Sequence, residues 1–135
     1  MYYFAYGSNM NPERLRARVG NYSNMQYGVL KGYKLTFNKK SNTPRRGYAT
    51  IEKCENSYVS GIIYNLSQKA IEILDMYEGF PLHYTKSYLN VETAKGVCEC
   101  VVYIANKDRV GVNLRPSYEY FEHLKKGWEI IDIIK

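Results

Sequence analysis

Two places in the chain carry residue types able to do chemistry. The first is Glu78, preceded by Leu74-Asp75-Met76-Tyr77 and followed by Gly79-Phe80-Pro81. A carboxylate among aromatic and apolar neighbours is poorly solvated, so its charged form is disfavoured. Its pKa then climbs from a reference of about 4.3 toward neutrality, where it can take up and return protons. The simpler reading of such a residue is a solvent-facing acid at a helix end, as most glutamates are exposed. The second place is Tyr6-Gly7-Ser8-Asn9. Successive backbone amides around a glycine can converge on a carboxylate, and the start of a following helix adds a favourable field. Spacing alone reads more simply as an ordinary turn.

Other schemes find less support. Only His83 and His123 are available as imidazole bases, and there is no Gly-x-Ser-x-Gly elbow, phosphate loop or Gly-x-Gly-x-x-Gly fingerprint. Nothing singles out a carboxylate partner for Glu78 of the kind glycoside chemistry needs. Cys54, Cys98 and Cys100 are odd in number and lack a Cys-x-x-Cys pair. Cys98 and Cys100 would share one face of a strand, and reduced structural thiols are expected rather than a zinc site or a disulfide.

Both places must be held by neighbouring elements. Tyr2 to Tyr6 is a short apolar run ended by Gly7-Ser8-Asn9, which reads as a buried strand entering a loop. Asn11 is a fitting N-cap, Pro12 sits at the first helical position, and Gly20 stops that short helix. From Met25 to Ile63 four strand patterns follow: Met25 to Leu30, Tyr33 to Phe37, Tyr48 to Ile51 and Tyr58 to Tyr64. Between them, Lys39 to Gly47 is basic and rich in breakers, which predicts an exposed loop. Ser67 caps a helix whose apolar face holds Ala70, Ile71 and Leu74 and which ends at Glu78-Gly79-Phe80-Pro81. A hairpin from Tyr84 to Glu92 and Val97 to Ile104 turns at Ala94-Lys95-Gly96, and a last helix starts after Pro116 with Ser117 as its cap. These elements predict an α+β fold, a mixed and mainly antiparallel sheet curled into a small β-barrel flanked by helices.

The 135 residues, 45% of them hydrophobic, suit a single domain spanning 1–135 with one continuous core. No stretch approaches the roughly 20 apolar residues of a spanning helix. The first residues lack the basic region and apolar run of a secretory signal, so a soluble, cytoplasmic protein without membrane association is expected. The net charge of +6 favours an anionic partner without choosing between a small ligand and nucleic acid. Fifteen tyrosines could stack bases, but they equally suit a β-rich core with wet edges.

Several of these segments together resemble a known family. Tyr3-Phe4-Ala5-Tyr6-Gly7-Ser8-Asn9-Met10 looks like the opening signature of the gamma-glutamylcyclotransferase-like family, which includes gamma-glutamylamine cyclotransferases and the plant avirulence-induced (AIG2-like) proteins. In family order follow Gly47-Tyr48-Ala49-Thr50-Ile51, Val59-Ser60-Gly61-Ile62-Ile63-Tyr64, Leu74-Asp75-Met76-Tyr77-Glu78-Gly79, Tyr84-Thr85-Lys86 and Pro116-Ser117-Tyr118-Glu119-Tyr120. The resemblance implies a small barrel with helices against it and a gamma-glutamyl compound as small-molecule substrate. It also implies release of an amine or amino acid as 5-oxoproline forms, with Glu78 as general acid/base.

Residues 6 to 9 would hold the substrate's alpha-carboxylate and supply oxyanion donors. Tyr6 and Tyr120 would wall the pocket and donate through their hydroxyls, and Tyr84 falls in the segment matching the family's Tyr-x-Arg. No metal or cofactor is implied. Lys86 departs from the family's arginine and cannot offer a planar two-point fork, which puts the leaving-group side in question. The competing readings are a non-catalytic binder of a small anionic metabolite on the same scaffold and, ranked last, a nucleic-acid module motivated by Lys39, Lys40, Arg45 and Arg46. Oligomeric state is not readable from the chain.

Overall fold

A computed structural model describes all 135 residues. Five strands, β1 (Tyr2–Ala5), β2 (Ser23–Lys40), β3 (Gly47–Asn65), β4 (Tyr84–Thr93) and β5 (Gly96–Ala105), close a barrel in the order β1-β3-β2-β4-β5. Every pairing is antiparallel except the closure of β1 on β5, where Tyr3 lies opposite Val101. Helices α1 (Pro12–Val19), α2 (Gln68–Glu78) and α3 (Tyr118–Ile134) accompany the barrel, with short 3-10 turns at Ser8–Met10 and Lys107–Arg109. The barrel with flanking helices is the expected architecture.

The four strand patterns between Met25 and Tyr64 prove to be two long strands rather than four short ones. β2 and β3 run as one bent hairpin whose register shifts between Ser23 and Met25, Lys31 and Tyr33, and Thr36 and Lys39. Gly32 and Asn56, both with positive φ, interrupt the alternation without ending the pairing. A bulge bends a strand and moves its side-chain phase, and that loss of phase reads as a break in the sequence.

Strand alternation divides the core in two. Tyr3 and Ala5, Ile62 and Tyr64, and Val101 and Tyr103 form one cluster with Leu15 of α1, Ile71 and Leu74 of α2 and Leu124 of α3. The intervening residues Phe4, Ile63, Cys100 and Val102 form a second cluster with Leu30, Ile51, Val59 and Val91. Strands apolar on both faces are therefore buried on both, which explains why β1 reads as a continuous apolar run. Each fully buried Ile or Leu contributes roughly 1.5–3 kcal/mol.

The helix ends follow their caps. Asn11 Oδ1 accepts from Glu13 N–H at 3.2 Å, Ser67 Oγ from Ala70 N–H at 3.1 Å and Ser117 Oγ from Tyr120 N–H at 3.2 Å. Helix α3 lies so close to the turn after β1 that a Cβ on Gly127 would come within 2.3 Å of Met10 Cβ. This contact fixes the turn carrying residues 8 to 10. The free cysteines Cys98 and Cys100 share one face of β5, their Sγ atoms 3.8 Å apart.

Candidate active site

The turn after β1, the start of α1 and the end of α2 meet around a cavity of about 440 Å³. That volume suits a small molecule. Among the residues lining it, Glu78 is the one carboxylate, facing the cations Arg14, Arg18 and Lys39. None of these four side chains forms an ion pair within the protein.

Glu78 is the last residue of α2, and Gly79 caps the helix with φ of +69°. A Cβ at Gly79 would lie 2.7 Å from His83 Cδ2, so both the left-handed backbone and the close approach call for glycine. One turn back, Asp75 Oδ2 accepts from Lys86 Nζ at 2.9 Å, and Asp75 Oδ1 accepts from the Tyr103 hydroxyl. Lys86 is thus committed to a structural ion pair with a side chain only 18% exposed, and its Nζ also sits 4.6 Å from the Phe80 ring centre. It does not line the cavity. The question raised by Lys standing in place of Arg therefore concerns how the end of α2 is anchored to β4, not how a ligand is clamped.

The residue Glu78 is half-buried, and its carboxyl belongs to the cavity wall. Burial pushes its pKa up to about 7, against the pull of Arg18, Arg14 and Lys39. Asn9 Nδ2 points at it, 3.5 Å from Oε1 and 3.1 Å from the Tyr3 hydroxyl. Arg18 donates to Asn9 Oδ1 at 3.3 Å and so fixes which way the amide faces. Arg14 Nε donates to Ser8 Oγ at 3.0 Å. Arg14 Nη1 also lies 3.1 Å from His123 Nε2 and Asn11 Nδ2 lies 3.0 Å from His123 Nδ1, so both ring nitrogens face donors, a setting that disfavours a charged imidazole. Burial first, then Arg14 and Arg18, lower the His123 pKa in keeping with this.

The predicted residues Tyr6, Gly7, Ser8, Asn9, Glu78, Tyr84 and Tyr120 all line this one cavity. Their hydroxyls are not equally free. Tyr6 donates to the Tyr103 carbonyl and Tyr84 to the Ala49 carbonyl, so the expectation that Tyr6 offers its proton to a ligand gives way to a role as wall. Tyr120 instead accepts from Ala49 N–H at 3.0 Å, which leaves its own hydrogen available. Burial, before any other cause, raises the Tyr6 and Tyr84 phenols well above their ordinary value and pushes Tyr120 up to about 12. All three stay neutral.

Arg14, Arg18 and Lys39 also line the cavity, although sequence reasoning places neither arginine in a site and gives Lys39 only to a nucleic-acid surface; a local signal exists for the arginines. Arg14 and Arg18 are four apart on the helix that follows the loop, which puts them on one face. Lys39 lies past a register shift between Thr36 and Lys39, which puts it out of phase with the alternation Tyr33-Leu35-Phe37. Placed by its basic neighbours in an exposed loop, it is in fact the buried penultimate residue of β2, with Nζ 5.8 and 5.7 Å from the ring centres of Tyr48 and Tyr84. Nowhere do three or more His, Cys, Asp or Glu side chains gather as a metal site would require, and no helix is long and apolar enough to cross a membrane.

The chain resembles known proteins in sequence and in fold. Over 83 residues the chain is 37% identical to Gamma-glutamylcyclotransferase of Bos taurus, and over 81 residues it is 33% identical to the protein of the same name from Homo sapiens. Each match covers 57% of this chain and 43% of the relative, so the shared stretch spans less than half the length of those proteins. In three dimensions the chain superposes on a solved Gamma-glutamyl cyclotransferase with a TM-score of 0.82 at 24% identity, over 96% of this chain and 79% of that one, a likeness of fold. The sequence model of the family described as Gamma-glutamyl cyclotransferase, AIG2-like matches residues 3–123, nearly the whole length, and the chain belongs to that family.

Proposed function

We propose that the protein is a cyclotransferase that releases an amine or amino acid from a gamma-glutamyl group as 5-oxoproline forms, with Glu78 carrying the protons. The observation that carries this reading is the single carboxyl in the cavity wall, Glu78, which faces Arg14, Arg18 and Lys39 without an ion pair and whose pKa burial pushes up to about 7. The substrate's alpha-carboxylate would lie against the amides of Gly7, Ser8 and Asn9, in the field of Arg14 and Arg18. Its alpha-ammonium would then face Glu78.

Ionised Glu78 takes one proton from the ammonium, and the freed amine attacks the gamma-carbonyl carbon. A ring C–N bond forms while the carbonyl oxygen gains negative charge, to which the loop amides and the free Tyr120 hydroxyl are suited as donors. As the oxyanion collapses, the C–N bond to the leaving group breaks. The attacking nitrogen gives up two protons in becoming a lactam N–H. Both pass by way of Glu78 to the departing nitrogen, which leaves as an ammonium. Nucleophile and electrophile belong to one molecule, and holding the folded-back conformer is worth roughly 7–11 kcal/mol.

The test is a panel of gamma-glutamyl amino acids and gamma-glutamyl amines assayed for 5-oxoproline, with wild type and Glu78→Gln side by side. Turnover of at least one compound that vanishes in Glu78→Gln is expected. Tight binding without turnover of any of them would instead favour a non-catalytic binder on the same scaffold.

A further inference from the structure

The proton chemistry at Glu78 leaves a pair of thiols on β5 unused. Cys98 and Cys100 are both free, and neither lines the cavity that holds Glu78. Residues two apart on a strand face the same side, and the Cys100 thiol points at the Cys98 sulfur with the two Sγ atoms 3.8 Å apart. Val91 and Leu89 of β4 stand opposite them, which places the pair in the hairpin close to its turn before Gly96. No third His, Cys, Asp or Glu joins them, so they fall short of the four ligands of a structural zinc site.

The two sulfurs differ in access. Cys100 is 1% exposed and belongs to the cluster of Phe4, Ile63, Val91 and Val102, whereas Cys98 is half-buried and packs against that cluster. Burial first, and then the neighbouring Cys98, hold the Cys100 thiol well above its ordinary value. Cys100 therefore stays protonated, and Cys98 is the sulfur that an outside reagent meets first. A bond between the two is reachable but strained. Two residues along a strand span about 6.6–6.8 Å between Cα atoms, the outer edge of the range of roughly 4.4–6.8 Å that a disulfide bridges. Strained disulfides are readily reduced, so the same spacing that permits closure also favours reopening.

We infer that Cys98 and Cys100 form a reversible redox site, separate from the cavity of Glu78, that takes a low-molecular-weight disulfide as its oxidant. The Cys98 thiolate attacks one sulfur of the small disulfide, forming a mixed disulfide and expelling one small thiolate, which takes up the proton that Cys98 lost. Cys100 gives its proton to solvent, attacks the Cys98 sulfur and expels the second small thiolate, which is protonated in turn. The protein sulfurs lose two electrons, the small disulfide gains them, and two small thiols leave. The residue after Cys100 is Val101, whose pairing with Tyr3 closes β5 on β1, so the strained link lies beside the closure of the barrel.

The experiment uses the full chain carrying Cys54→Ser, which removes the third thiol. The folded protein is equilibrated with glutathione disulfide, then denatured in iodoacetamide and weighed intact. Its mass should show the loss of two hydrogens and no alkyl group, and excess reduced glutathione before the quench should restore a doubly alkylated chain. Adding Cys100→Ala should stop the reaction at one glutathione adduct on Cys98, and adding Cys98→Ser in its place should leave Cys100 free of glutathione. The oxidised form should melt below the reduced one, as a strained link requires. Two alkyl groups after oxidation, a glutathione adduct that persists while Cys100 is present, a closed form that excess reduced glutathione does not reopen, or a higher melting midpoint on oxidation would overturn the site. These readouts are independent of the cyclotransferase reading.

Discussion

Asp75 and Glu78 stand one turn apart on α2, and the protein treats them oppositely. Asp75 is held by Lys86 at 2.9 Å and by the Tyr103 hydroxyl. Glu78 has no ion pair, only Asn9 at 3.5 Å, and burial brings its pKa to about 7. The first acid spends its charge on anchoring the helix to the barrel. The second is left able to change charge near neutral pH. What separates structural from chemical carboxylates here is the company each keeps, as the same helix presents both.

That contrast can be broken from either side. Glu78→Gln should lower 5-oxoproline release by roughly a thousandfold, within the range for loss of a positioned acid/base, with thermal stability retained at neutral pH. Asp75→Asn should act mainly on stability. It leaves Lys86 without its partner in a largely enclosed spot, at a cost of about 2–3 kcal/mol in denaturant titration, with turnover falling far less than in Glu78→Gln. Equal losses of turnover in the two variants would erase the distinction.

The pH dependence of stability sharpens it further. Glu78 takes up its proton more readily folded, at about 7, than at its ordinary 4.5. Below pH 4.5 it is protonated in both states and carries no penalty. As pH rises from 4.5 to 7 the buried group favours the folded state progressively less, a change on the order of 3 kcal/mol that is complete above 7. Glu78→Gln lacks this slope, so the variant should gain on wild type across that window and run parallel to it on either side. The smallest effect belongs to Arg18→Met. Arg18 is the foremost of the cations that lower the Glu78 pKa, so its loss should move the ascending limb of the kcat/KM profile to higher pH.

Much of this arrangement was legible in the chain. The helix caps at Asn11, Ser67 and Ser117, the turn before Gly96 and the apolar face of Ala70, Ile71 and Leu74 are local features, and local rules found them. The joined course of β2 and β3 was not legible, because bulges shift the alternation by which strands are recognised. Lys39 escaped for a related reason. Its basic neighbours mark a solvated loop, whereas its burial depends on Tyr48, Tyr84 and the turn at Lys107–Arg109, all distant in sequence. The commitment of Lys86 to Asp75 was hidden likewise, since a pair between α2 and β4 has no signature in either segment alone.

The most direct measurement is the titration of Glu78 itself. With side-chain carboxyls labelled in ¹³C, the resonance absent from Glu78→Gln can be followed by NMR between pH 3 and pH 9. A midpoint about 7 is expected, moving upward in Arg18→Met. A midpoint of about 4, the ordinary range for an exposed glutamate, would contradict the account.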